Sequence, residues 1–223
     1  DDGRWSVRGM PQAGSGDPLD ALRRLGELQV IGGRLRVDAP SLNLQAELPR
    51  IDLRLRVNGQ RLRVGARAWA HLDGQPLTAV VDFERTKGDG QAWLAADPAD
   101  FRAWSHLLQF AGVSLQQGTG ELNAWVDLRD HRPVMVTADA DLQDLQLRGA
   151  PLADGKRPQL ALDTLQLRAR WRWVTGGWRA DAPQLRIGLA GSSEVQRLDG
   201  LLLAGGQHMA LAGDNIDATA LLR

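Results

Sequence analysis

With 223 residues, 27 Lys+Arg against 27 Asp+Glu and a formal net charge of zero, the chain has no overall field to draw it onto nucleic acid or an anionic bilayer. The absence of Cys excludes disulfides, a thiol nucleophile and thiolate metal sites, and fits either the cytosol or a large bacterial envelope protein that folds without oxidation. There is no basic-then-apolar leader and no apolar run near the roughly 20 residues that span a bilayer. A chain opening Asp1-Asp2-Gly3-Arg4-Trp5 is therefore expected to be a piece of a longer protein, forming one large β domain or two small ones.

Asp17 to Leu25 reads as a short helix, with Pro18 in its first turn, leucines at 19, 22 and 25, and Gly26 as its stop. Gly33 to Asp38 and Ser41 to Leu48 are strand candidates. From Arg50 to Val57 apolar residues take every odd position and charged ones every even position, the period of a strand wet on one face. Asn58-Gly59 then signals a turn, and Leu62, Val64, Ala66 and Ala68 resume the pattern opposite Arg61, Arg63, Arg67 and Trp69, which makes a hairpin.

Leu77 to Phe83 forms a further strand. Asp100 to Phe110 reads as a helix, capped by Asp100, apolar at 101, 104, 107, 108 and 111, and ended by Gly112. Strands follow with Leu122, Ala124, Val126 and Leu128 inward, then Val134 to Leu142. The apolar parity slips before Leu145 and Leu147, and again between Leu162 and Leu165; one extra residue at a bulge or bend restores the face in each case. Asp154 to Pro158 is a long turn, and Trp178 to Leu189 and Val195 to Ala212 close the series. About a dozen short strands at hairpin spacing define an all-β chain with one or two short helices.

Chemistry-bearing constellations are scarce. Histidines at 71, 106, 131 and 208 have no zinc-site spacing, and no metal or cofactor is expected. Asp139 and Asp141 share one side of a strand, as a solvated face also produces, and Gly118-Thr119-Gly120 and Gly191-Ser192-Ser193 read as turns, so no enzyme activity is expected. Trp171 and Trp173 share a face, where packing outweighs ligand stacking. What remains is the apolar face, which needs a second sheet in a β-sandwich, closure into a barrel, or a nonprotein apolar partner to cover it. Periodicity alone favours the sandwich.

Three phrases, in order, resemble the YhdP-type envelope members of the AsmA-like family: Leu25 to Asp38, as strand, glycine turn and strand; Trp93 to Trp104, as an aromatic strand running into a short helix with Trp; and Gly118 to Leu128, as a Gly-x-Gly strand bearing a Trp. They divide the chain into an N-terminal segment, 1–24; a family-like β-sheet, 25–150, with a helix near 100–111; and a continuation of the sheet, 151–223. The resemblance implies an extended, strongly curved antiparallel sheet folded like a taco around an apolar groove, the β-sandwich being the alternative. It further implies a periplasmic segment of an inner-membrane-anchored protein of Gram-negative bacteria, carrying phospholipid between inner and outer membranes. Leu53, Leu55, Val57, Leu62, Val64, Leu77, Val81, Leu122, Val126, Val134 and Val136 would line the groove, with Arg54, Arg56, Arg61 and Arg63 in water. Expected partners are phospholipid, neighbouring segments of the same longer chain and envelope proteins, with no nucleic acid. The competing function is a non-catalytic structural or protein-interaction module of the envelope.

Overall fold

In a computed structural model, residues 26–39, 44–105, 109–110, 113–152, 154–206 and 208–214 are described; the expected helix at Asp17 to Leu25 lies outside them. Twelve strands form one antiparallel sheet: β1 (Glu27–Ala39), β2 (Leu44–Asn58), β3 (Arg61–Trp69), β4 (Leu77–Glu84), β5 (Gly90–Asp100), β6 (Gln109–Phe110), β7 (Val113–Arg129), β8 (Arg132–Arg148), β9 (Gln159–Val174), β10 (Gly177–Leu189), β11 (Val195–Gly205) and β12 (Met209–Ala212). Their spatial order is their chain order, except that the two-residue β6 pairs only with the start of β7. The sheet is open and curled, and among the described residues no second sheet lies over it. The sandwich favoured by periodicity is thus corrected: period-2 alternation fixes which side of each strand is apolar, and says nothing of what covers that side.

Directly paired residues of an antiparallel ladder share a face, so the pairings assemble apolar positions into rows that run across the strands. One row crosses eleven strands without a polar member: Leu28, Leu55, Val64, Val81, Ala92, Val126, Val136, Trp171, Ala180, Leu203 and Leu211. Beside it Leu53, Ala66, Ala79, Leu94, Ala124, Ala138 and Ala169 form a second row, rich in alanine. A third is built by Ile51, Ala68, Leu77, Ala96, Leu122, Ala140, Leu167, Leu185 and Leu198.

The two parity slips expected near Leu145 and Leu162 face each other. Leu142 pairs with Leu165 and Leu145 with Leu162, so β8 and β9 change parity together and the apolar face survives the bend; Asp144, between them, has φ 53°. On the other side β7 bends at Gly118 and Gly120. A Cβ on Gly120, whose φ is 134°, would lie 2.2 Å from the Asp141 carbonyl oxygen, so only glycine admits this approach of β7 to β8.

Two expectations change in detail. Gly32 and Gly33 do not turn the chain between two strands; they make an irregularity inside β1, where Gly32 (φ 66°) donates its N–H to Asp52 Oδ1 at 2.9 Å. Of the helix expected over 100–111, the described residues form a single 3-10 turn, Phe101–Trp104, and 106–108 and 111 lie outside them. Asp100 caps the turn by accepting from Arg102 N at 2.9 Å, as its sequence position implies, but Gln109 and Phe110 are extended and pair with Ser114 and Val113. The tight β6–β7 pairing takes the backbone hydrogen bonds that a longer helix would need.

The best-buried cluster gathers around that turn. Phe101, 1% exposed, packs with Ala96, Ala99, Ala140, Leu142, Leu145 and Leu162, and Leu77, Leu122, Leu165 and Leu167 lean on the group. A smaller cluster joins Val57 and Leu62 to Leu28, Leu55, Val64 and Phe83 at the opposite end of the strands.

Candidate functional site: the apolar face of the sheet

The eleven expected groove residues fall on the apolar side of β2, β3, β4, β7 and β8. Leu55, Val64, Val81, Val126 and Val136 belong to the continuous row, Leu53 to the alanine-rich row, and Leu77 and Leu122 to the third. Val57 and Leu62 pair with each other and are buried together with Phe83 at the turn end. Val134 has no paired residue on β7: it sits where β8 slips against β7, between Met135 (paired with Asp127) and Pro133 (paired with Leu128).

Apart from Val57 and Leu62, these side chains are half-buried. Among the described residues no second sheet lies over them. The alanine-rich row lowers the floor between two rows of larger side chains. The result is a trough that runs perpendicular to the strands, in whose first row the one polar side-chain atom is the Trp171 indole nitrogen.

The opposite face is charged, and three of its acids each hold two arginines. Glu27 accepts from Arg54 Nε and Arg56 Nε, both at 2.6 Å, and Asp82 from Arg61 Nε at 2.6 Å and Arg63 Nε at 2.9 Å. Asp181 accepts from Arg179 Nε at 2.8 Å and Arg172 at 3.1 Å. The Arg54 bond holds Glu27 below the usual carboxylate range; Arg61 does the same for Asp82, and Arg179 for Asp181. Asp52 is held low chiefly by the Gly32 N–H. Trp69 lies on this face too, 8% exposed beneath the Arg50 guanidinium 4.3 Å from its ring centroid. Arg54, Arg56, Arg61 and Arg63 are all exposed, as expected.

Features that suggested chemistry resolve into packing and cross-strand pairs. Asp139 accepts from Arg168 at 2.9 Å and Asp141 from Gln166 at 3.1 Å, each on its neighbouring strand. Trp171 stacks on Trp178, with centroids 4.2 Å apart, and lies 6.2 Å from Trp173, a three-tryptophan group at the turn end of β9 and β10. The pairing of Trp178 with Trp173 creates this group, and two tryptophans at alternate positions facing a third across a Gly-Gly turn was the signal for it. Among the described residues no three His, Asp or Glu side chains come together in a way that could hold a metal ion.

An open, curled antiparallel sheet with one unbroken apolar face and one face of arginine–carboxylate ladders defines a β-groove protein. The family model described as YhdP protein matches residues 6–222, and the chain belongs to the YhdP family. No curated protein and no solved structure matches it.

Proposed function

We propose that this chain is a periplasmic stretch of a bridge-like lipid transfer protein, anchored elsewhere in the inner membrane, and that its trough holds phospholipid acyl chains on their way between the two membranes. The observation that carries this reading is the row from Leu28 to Leu211, apolar on every one of eleven strands and, among the described residues, with no second sheet over it. Family membership supports it. An apolar surface this continuous calls for a cover, and acyl chains are nonprotein matter that fits a trough of this shape.

The work of such a groove is solvation. Each methylene moved from water to the trough gains about 0.8 kcal/mol, which keeps a two-chain lipid from escaping into the aqueous periplasm. Apolar contact is nondirectional, so successive positions along the rows differ little in energy and sliding meets low barriers. The head group projects from the open side into water, and no step breaks or forms a covalent bond. Eleven strands at ~4.8 Å spacing supply roughly 50 Å of path, so neighbouring segments of the same longer chain complete it.

A Val126→Asp variant of the full-length protein tests the reading. Val126 is half-buried in the trough, whereas Asn123 on the same strand faces the charged side. Phospholipid co-purifying with the protein, counted by mass spectrometry, should fall for Val126→Asp and stay unchanged for Asn123→Asp. Equal lipid in all three proteins would refute the reading. A second reading, a non-catalytic interaction module of the envelope, draws on Trp125, 47% exposed on the charged side beside its cross-strand partner Trp93. That surface can serve a partner whether or not the trough carries lipid.

A further inference from the structure

We propose that the charged face carries a phosphate-binding depression over Gly65, walled by Arg50, Arg54 and Arg67, on the side of the sheet away from the trough. The site does not depend on the trough's holding lipid.

Gly65 lies in the middle of β3, where the fold gives no reason for a glycine. It pairs with Arg54 on β2 and Val80 on β4 in ladders without a register shift, so no bulge needs it. Its backbone is outside the left-handed region, and a Cβ there would meet nothing within 4 Å. Glycine inside a strand weakens it; with no bulge and no neighbouring backbone in the way, the use that remains is to leave room for a ligand.

An open depression of about 540 Å3 surrounds Gly65, within the range of roughly 300–1,000 Å3 of small-molecule sites. Arg50, Arg54 and Arg67 line it with one carboxylate, that of Asp52, and Thr78 supplies a hydroxyl. Asp52 is already committed: it accepts from the Gly32 N–H at 2.9 Å and from Arg50 Nη2 at 3.5 Å. Arg67 Nη2 lies 3.8 Å from it, beyond hydrogen-bonding reach, and 60% of the Arg67 side chain is exposed.

The surroundings add to the field. Glu27 is shared by Arg54 and Arg56 and Asp82 by Arg61 and Arg63, as Asp52 is by Arg50 and Arg67, so this ladder holds two arginines for every acid in a chain of zero net charge. A phosphate answers that surplus better than a carboxylate, because it carries up to two negative charges and its several oxygens accept from guanidinium edges on both sides of the glycine. Arg54 stands directly across on β2, and Arg67 two residues along β3. Val80, 41% exposed, offers apolar surface to the body that carries the phosphate.

Titration of the full-length protein with inorganic phosphate and, separately, with glycerol phosphate, followed by phosphorus NMR line broadening, reads the site. Both should bind the unsubstituted protein. Gly65→Leu, which fills the depression without altering charge, and Arg67→Gln should each weaken binding by about tenfold or more. Arg168→Gln, on the same face at the Asp139 pair, should leave it unchanged, and an unaltered urea midpoint shows that each variant is folded. Either result in the comparison of probes upholds the site: tighter glycerol phosphate assigns it to the phosphate of a lipid head group, and equal binding to the free ion. No broadening with the unsubstituted protein overturns it. So does broadening that survives Gly65→Leu or Arg67→Gln, or that falls equally in Arg168→Gln.

Discussion

Asp82 lies between Arg61 and Arg63 on the charged side, and the same arrangement recurs at Glu27 and Asp181. These carboxyls bind protons less readily folded than unfolded. Their contribution is complete above their unfolded pKa, near 3.8 for Asp82 and 4.5 for Glu27, and is lost as pH falls through the lower folded values. The protein should therefore show a urea midpoint that drops as pH falls below about 4.5, and Asp82→Asn should make that drop shallower. At neutral pH the substitution should cost no more than about 1 kcal/mol, since both arginines are largely in water. Gly120 gives a contrasting expectation at the same scale. Any side chain there meets the Asp141 carbonyl, so Gly120→Val should force β7 from β8 and lower the thermal midpoint far more than Gly65→Val, where a Cβ meets nothing within 4 Å.

Single elements differ in how much of them the residues announce. The hairpin of β2 and β3 was legible down to its pairing, because Arg50 to Val57 and Leu62 to Ala68 alternate cleanly on either side of Asn58-Gly59. The bends in β8 and β9 were legible one at a time as parity slips. That they oppose one another was not, since register between strands does not show in either strand alone. Gly32-Gly33 misled because a glycine pair serves a bulge as readily as a turn, and what decides is the Asp52 acceptor twenty residues on. The Phe101 turn misled in length. Its Asp cap and three-residue spacing of Phe101 and Trp104 suit a 3-10 turn and an α-helix alike, and the competing β6 strand settles the matter. Phe101→Ala should destabilise the sheet by about 3 kcal/mol, measured by urea unfolding, as expected for emptying a fully buried aromatic site.

At the scale of the whole molecule, the apolar face was visible in the sequence and its cover was not. Leu53, Leu55, Val64, Val81, Val126 and Val136 were identifiable as one face from parity, and the ladder pairings align five of them into the row that crosses the sheet. Val134 was not separable from Val136 by parity, because the slip that leaves it without a partner on β7 depends on Leu128 pairing with Pro133. A sandwich and a single curled sheet present identical alternation; they part only in whether a second layer is hydrogen-bonded elsewhere in the chain, and here every long strand pairs with its chain neighbours in one sheet. The consequence is functional. Leu55 and Arg54 are adjacent on β2, the first in the apolar row and the second bonded to Glu27 in water. Placing the photo-crosslinking residue at each in turn, in the full-length protein in cells with phosphate-labelled lipid, tests the groove most directly. Label at Leu55 without label at Arg54 is the predicted result, and absence of label at Leu55, Val64 and Val126 alike would contradict it.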